Sequence, residues 1–158
     1  MSREDVYSAV EAMVRRWDGL RIVGTRNFRC GDAQVPGQAR RWVVDVLCVH
    51  DVPGELLETV ELLVSEVVTN SFLYSDSGSD PDGLITVGVG IGRGMIYIEV
   101  IDPGSLVNVP AMRPAEDEDL GGRGLAWVNQ LSDGWGTDYD PEIGRALWFH
   151  LAWNHAPH

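Results

Sequence analysis

The sequence predicts an α+β protein, a two-layer α/β sandwich with a mixed, mostly antiparallel sheet and helices on one face. Two early segments, 36–50 and 55–74, have apolar residues at helical spacing. They precede two runs rich in β-branched residues, LITVGVGIG and MIYIEVID, which only Arg93 and Gly94 separate. That spacing is typical of a β-hairpin. Helices followed by hairpins favour a mostly antiparallel sheet with helices covering one of its faces.

The elements before this hairpin follow from local signals. Residues 4–17 carry apolar side chains at helical spacing and Gly19 ends the pattern, so residues 1–19 are expected to form a helical extension. The segment LRIVGTRNFRC predicts a strand. Pro36 and Pro53 each precede a helical pattern, and proline suits the first turn because its fixed φ is helical and its missing N–H is not needed there.

The second half of the chain predicts a long loop, a helix and a closing hairpin. The segment from about Leu106 to Leu120 contains prolines and an acidic cluster, and loops of that length in compact domains are often functional. RGLAWVNQLS predicts a helix, and DGWGTDYD and GRALWFHLAW predict two strands. The domain is therefore expected over 20–153, followed by a disordered tail at 154–158.

The charge of the chain excludes some classes of partner. At a net charge of −12 the protein is a poor ligand for nucleic acid, whose phosphates require a basic surface, and for an anionic membrane. All twelve basic residues are arginine. The absence of lysine from this sequence excludes a Schiff base and a Walker-type phosphate lysine, so side-chain contacts to phosphate must come from arginine.

The two cysteines, Cys30 and Cys48, are isolated and lack the spacing of metal ligands. This favours reduced thiols over a disulfide. No apolar run has the length of a membrane span, and the N-terminal residues are too polar for a signal peptide. We therefore expect a cytoplasmic protein.

A carboxylate and an amide, Glu66 and Asn70, interrupt the apolar pattern of the predicted long helix. Because positions four apart lie on one face of a helix, the two side chains are neighbours. They form either a solvated strip joined by a local hydrogen bond or a metal site. In the second interpretation Asn70 gives an oxygen to a hard cation such as Mg²⁺, which completes its shell with phosphates and water. Glu66 then orients or deprotonates a nucleophile.

A second acidic residue, Asp102, directly follows an apolar strand, and Gly104 comes two residues later. Asp-Pro-Gly is common turn chemistry, so one interpretation is a turn. In the other, the carboxylate accepts a hydrogen bond from an exocyclic amine such as that of adenine. Gly104 would then let the base lie close against the backbone.

Three glycines, Gly121, Gly122 and Gly124, precede the predicted helix that follows the long loop. Backbone N–H groups and the positive end of the helix dipole can bind phosphate at such a place. The same glycines are equally typical of a hinge for the loop. Arg123, the side-chain cation among them, is either a contact to phosphate or to an acidic group of a partner, or a surface arginine.

The order and spacing of these pieces resemble the GHKL, or histidine-kinase-like, ATPase family with its Bergerat fold. The N box corresponds to EVVTN, Glu66 to Asn70, and the first glycine box to DPG, Asp102 to Gly104. The second glycine box corresponds to GGRGL, 121–125. The flanking segments VPGQARRWVVDVL, GGRGLAWVNQLSDGWG and GRALWFHLAW look like the small single-domain anti-sigma-factor serine kinases, over roughly residues 20 to 153.

The resemblance implies a role for each residue of the boxes. Asn70 would bind Mg²⁺, and Glu66 would be the catalytic base. Asp102 would bind the adenine amine while Gly104 makes room for the ring. The phosphates would lie under a lid at about 106–120, held by the second glycine box, which consists of Gly121, Gly122, Arg123, Gly124 and Leu125.

The resemblance also implies an activity and partners. Such kinases use ATP and Mg²⁺ to phosphorylate a serine of a small STAS-type anti-anti-sigma protein, which competes with a sigma factor for the kinase. A homodimer is expected on the same ground. The alternatives are a nucleotide-binding module that sequesters its partner without efficient transfer, a domain that binds no nucleotide, and the ATP-binding domain of a histidine kinase. The last is disfavoured because no phosphoacceptor helix is expected here.

Two positions depart from the pattern of these kinases. Ala146 stands where a threonine of the last strand usually helps to position the adenine, so a hydrogen bond worth roughly 1 kcal/mol is expected to be missing. Tyr74 stands where many relatives have histidine. Neither change removes the three side chains of the N box and first glycine box, so nucleotide binding is still expected.

Overall fold

Five strands and three helices make up the described part of the chain. The structure, a computed structural model, describes residues 19–29, 32–74, 83–92, 94–102, 120–140 and 144–153. The predicted N-terminal helix and the predicted tail therefore lie outside the described residues. The elements in chain order are β1 (Arg21–Arg29), α1 (Val35–Cys48), α2 (Gly54–Tyr74), β2 (Leu84–Gly92), β3 (Met95–Asp102), α3 (Leu120–Leu131), β4 (Gly134–Asp140) and β5 (Gly144–Ala152).

The strands form one open sheet in the order β1-β2-β3-β5-β4, and each neighbouring pair is antiparallel. The predicted hairpin is β2 and β3, joined at Gly94, whose φ of 63° suits a residue without a Cβ. β5 lies between β3 and β4, so the last strand of the chain is an interior strand of the sheet. The predicted α+β, two-layer fold is confirmed.

The helices cover one face of the sheet because each presents an apolar stripe to it. In α1 the buried positions Val35, Ala39, Val43 and Leu47 recur every four residues, which places them on one side of the helix. Burying a side chain of this kind contributes roughly 1.5–3 kcal/mol. The main core between helices and sheet includes Val43 and Leu47 of α1, Val60 and Val64 of α2, Ile98 and Val100 of β3, Val128 of α3, and Phe149 and Leu151 of β5.

The other face of the sheet has a smaller apolar cluster. Tyr97, Ile101 and Ala146 are its buried members, and Trp148 packs against them. The Trp148 ring is stacked with Tyr97 at 6.1 Å and with His150 at 6.5 Å between ring centroids. Since side chains alternate along a strand, the odd positions of β3 and the even positions of β5 belong to this outer face.

A glycine of β4 leaves room for the Trp148 ring, which gives a test of the packing. A Cβ added to Gly136 would lie 2.5 Å from Cζ2 of Trp148, so the ring would have to move. Gly136→Ala is expected to lower the free energy of unfolding by about 1–3 kcal/mol. The matched control is Gly37→Ala in the first turn of α1, where a Cβ meets nothing within 4 Å. That variant should gain roughly 0.5–1 kcal/mol. Urea unfolding measures both, and equal stabilities would contradict the described packing.

Candidate functional site

Glu66 and Asn70 lie on the flank of the buried stripe of α2. The centre of that stripe is formed by Val60, Val64 and Val67. Glu66 and Asn70 follow one another at a spacing of four, so they lie along one edge of the stripe rather than on its solvent side. Glu66 is partly buried, whereas Asn70 is only 7% exposed. The helix thus holds a carboxylate and an amide at the border between core and surface.

The side-chain oxygen of Asn70 is a buried acceptor. Within the part of the chain that the structure describes, Oδ1 has no hydrogen-bond partner. Leaving a buried acceptor unsatisfied costs about 1–3 kcal/mol, and such groups are frequently functional. An amide carbonyl oxygen is a suitable ligand for a hard cation. Asn70 therefore has the chemistry that the predicted Mg²⁺ ligand requires.

Asp102 is the last residue of β3 and is 2% exposed. Side chains alternate along a strand, and Asp102 follows Ile98 and Val100 at intervals of two residues. Its side chain therefore lies on the face that the helices cover. Oδ2 of Asp102 accepts a hydrogen bond from Nη2 of Arg145 at 3.2 Å, and the two groups form a buried salt bridge. The residue belongs to the sheet rather than to a turn, since it pairs with Arg145 in the β3–β5 register.

Arg145 is a candidate site residue that the sequence alone did not indicate. It is the second residue of β5 and is 7% exposed. The signal was present in the alternation of β5, because Leu147, Phe149 and Leu151 face the core. An arginine in the same alternating series is placed on the inner face of the sheet, where a charge requires a partner.

The expectation for Ala146 is wrong in this fold. Ala146 is opposite Ile101 and packs with it and Tyr97 on the outer face of the sheet. A threonine hydroxyl at position 146 would point away from the face that carries Asp102. The replacement of threonine by alanine therefore removes no hydrogen bond from the candidate site, and Arg145 is the residue of this strand that faces Asp102.

The glycines of the second glycine box lie inside α3 rather than before it. The helix begins at Leu120, three residues earlier than RGLAWVNQLS predicts, so Gly121 to Gly124 form its first turns. The first four N–H groups of a helix, counted from the residue before its first turn, have no partner within it, and those of Gly121 and Gly122 are among them. Leu125 packs against the main core and anchors this end of the helix.

Other predicted parts of the site lie outside the described residues. These are Gly104 and the segment 106–119 of the predicted lid, while Leu120 belongs to α3. The side chains of Arg123 and Tyr74 are also outside the description, although their backbones belong to α3 and α2.

The three motifs lie on elements that contact each other. α2 packs against α3 and also contacts β3. The helix that carries Glu66 and Asn70 is therefore the shared neighbour of the strand that ends in Asp102 and of the helix that begins with the glycines. A carboxylate, an amide oxygen and the N–H groups of a helix start are thus found on elements in mutual contact, and these groups suit a base, a cation and phosphates respectively.

A sequence model of the histidine kinase-like ATPase domain matches residues 31–150. The chain belongs to this family. The match spans about three quarters of the chain and contains Glu66, Asn70, Asp102 and the second glycine box. No curated protein matches the chain. The histidine kinase-like ATPase domain accounts for the order of the boxes, and it makes the protein an ATP-binding domain of the GHKL type.

The residues of this histidine kinase-like ATPase domain fit a bound Mg²⁺. No cluster of three or more His, Cys, Asp or Glu side chains that could hold a metal occurs among the described residues. Mg²⁺ needs no such cluster, because it usually takes one or two protein ligands together with the phosphates of its nucleotide and water. The buried oxygen of Asn70 fits that donor set.

None of the helices in the described ranges is long and apolar enough to cross a membrane.

Proposed function

We propose that the protein is an ATP- and Mg²⁺-dependent serine/threonine kinase that acts as an anti-sigma factor. The observation that carries the proposal is that Glu66 precedes Asn70 by one helical turn on the helix that contacts β3, and that the buried Oδ1 of Asn70 has no hydrogen-bond partner among the described residues. Binding of a nucleotide requires Asp102 and the glycines. A partly buried carboxylate beside a cation ligand adds what phosphoryl transfer needs, namely a base next to the place of the phosphates.

Each box has a proposed task in nucleotide binding. Asp102 accepts a hydrogen bond from the amine of adenine, and Gly104 leaves room for the ring. Asn70 holds Mg²⁺, whose charge neutralises the phosphates when it is bound. The segment 106–120 is the proposed lid over the phosphates. The phosphates are bound by the second glycine box, Gly121, Gly122, Arg123, Gly124 and Leu125.

Glu66 is the proposed catalytic base. It accepts the proton of a serine hydroxyl while the serine oxygen forms its bond to the γ-phosphorus and the bond to the leaving ADP oxygen breaks. Its position on the border of the core is suited to this task. A carboxylate there is close enough to solvent to exchange its proton and is still fixed by the packing of α2.

The proposed substrate is a serine of a STAS-type anti-anti-sigma protein, and the proposed regulated partner is a sigma factor. The support is the likeness of the segments around the boxes to the small anti-sigma-factor serine kinases. A homodimer is proposed on the same ground, and a monomer by sedimentation at micromolar concentration would refute it.

Transfer from labelled ATP separates the kinase from a second candidate, a nucleotide-binding module that sequesters its partner. The purified chain is incubated with labelled ATP, Mg²⁺ and a panel of STAS-type proteins that contain the target serine. The kinase predicts phosphoserine on one of them. Formation of a stable complex without phosphoserine would favour the sequestering module instead.

Replacement of Asn70 tests the assignment of the cation ligand. Asn70→Ala is expected to bind ATP as the wild type does without Mg²⁺ and to lose the gain in affinity that Mg²⁺ gives the wild type. Calorimetric titration with and without Mg²⁺ measures this difference. The control is Thr59→Ala on the same helix, a half-buried position whose hydroxyl donates to the Glu55 carbonyl. If Asn70→Ala keeps the full effect of Mg²⁺, the assignment of Asn70 as ligand fails.

A further inference from the structure

Among the residues that the structure describes, the guanidinium of Arg145 has one nitrogen without a hydrogen-bond partner, beside the carboxylate that is proposed to bind the base. Nη2 donates to Asp102, and the side chains of both residues are more than nine-tenths buried. Nη1 of the same group is also buried, and it has no hydrogen-bond partner in the described ranges. The guanidinium is planar and rigid, so Nη1 is held at a fixed place next to the Asp102 carboxylate.

Burial makes this free donor costly unless a ligand uses it. A charged donor that is left unpaired away from water loses its hydration without compensation, and a hydrogen bond to a ligand would restore a partner. The antiparallel register keeps the donor in place, because Asp102 and Arg145 are directly opposite each other on β3 and β5. The pair therefore presents one hydrogen-bond acceptor and one donor side by side.

We propose that Arg145 is a second residue that recognises the base. Its Nη1 donates a hydrogen bond to a ring nitrogen of adenine, next to the amine that donates a hydrogen bond to Asp102. The inference rests on the proposed role of Asp102. Adenine has this complementary pattern on both edges, because its 6-amine is flanked by the acceptors N1 and N7. The Asp102 carboxylate accepts a hydrogen bond from the 6-amine, and the Arg145 guanidinium donates one to the ring nitrogen beside that amine.

The same pattern rejects guanine. Guanine carries a carbonyl oxygen at position 6, which would place an acceptor against the Asp102 carboxylate and leave both without a proton. Arg145 thereby contributes in two ways, since it holds the carboxylate in its acceptor role and it adds a contact that a carboxylate alone does not provide.

Analogues of ATP that lack one ring nitrogen test the inference without altering the protein. The full chain is titrated calorimetrically, with Mg²⁺, with ATP, 1-deaza-ATP and 7-deaza-ATP. We expect one of the two analogues to bind at least about tenfold more weakly than ATP, which corresponds to ~1.4 kcal/mol. The weaker analogue identifies the edge of the base that Arg145 contacts. Binding of both analogues within twofold of ATP would overturn the inference.

Substitution of Arg145 ties the effect to this residue. In Arg145→Leu, ATP and the weaker deaza analogue should bind with equal affinity. Purine riboside triphosphate, which lacks the amine, should bind more weakly than ATP both to the wild type and to Arg145→Leu. If Arg145→Leu does not fold, Arg145→Gln, which retains a neutral donor, should show a discrimination reduced severalfold. Unchanged discrimination in a folded variant would overturn the inference. Failure of the folded wild type to bind ATP at all would instead remove the proposed site, and this inference with it.

Discussion

Asp102→Ala is expected to abolish ATP binding. The carboxylate is buried at the end of β3 on the face that the helices cover, and it is the proposed acceptor for the amine of adenine. A base that loses this acceptor also meets the unpaired Arg145 guanidinium in its place. Calorimetric titration should show no binding at nucleotide concentrations that saturate the wild type.

The buried salt bridge makes a folding control essential for this variant. Removal of one partner of such a bridge lowers the free energy of unfolding by about 3–5 kcal/mol, because the other charge stays buried without a partner. Asp102→Asn keeps the shape and an acceptor oxygen but loses the charge, and we expect it to fold and to bind ATP much more weakly. The matched surface control is Asp133→Ala, whose carboxylate accepts the N–H of Ala152. Wild-type affinity in folded Asp102→Asn would remove Asp102 from the site.

Glu66→Ala is expected to bind ATP normally and to suppress phosphoryl transfer. A general base contributes about 10²–10⁴-fold in rate, whereas positioning and electrostatic stabilisation remain when it is lost. Single-turnover transfer from labelled ATP to the partner serine measures the rate, and titration measures the affinity. Glu66→Gln should behave like Glu66→Ala, because an amide has the same size and cannot take the proton.

The control for Glu66 is Glu61→Ala, a carboxylate on the exposed side of the same helix. It should leave both rate and affinity unchanged. Transfer at the wild-type rate in Glu66→Ala would refute the assignment of the base. Loss of ATP binding in Glu66→Ala would show instead that the residue acts in binding.

Much of the fold could be predicted because its signals are local. The strand predicted over LRIVGTRNFRC is found as Arg21–Arg29, and the hairpin LITVGVGIG and MIYIEVID is found with the same limits. Proline at a helix start and period-2 alternation depend only on neighbouring residues. The start of α3 was missed because glycine is a weak helix former, and the packing of α3 against α2 is a tertiary contact that the local sequence does not show.

The part of the site that could not be predicted depends on strand register. The sequence showed Asp102 at the end of a strand, but it did not show that β5 lies beside β3 and places Arg145 opposite it. Arg145 and Ala146 are neighbours in β5, so their side chains lie on opposite faces of the sheet. Arg145 is on the face of Asp102, whereas Ala146 belongs to the outer cluster. From the resemblance to known kinases, position 146 was expected to contribute to the adenine site. In the sheet, the residue of β5 that contacts Asp102 is Arg145.

A calorimetric titration of the wild-type chain with ATP, in the presence and absence of Mg²⁺, tests whether the N box and the two glycine boxes form one nucleotide-binding site. A single space bordered by α2, β3 and α3 predicts one nucleotide bound per chain, with higher affinity when Mg²⁺ is present. Absence of binding to the folded protein under both conditions would contradict it.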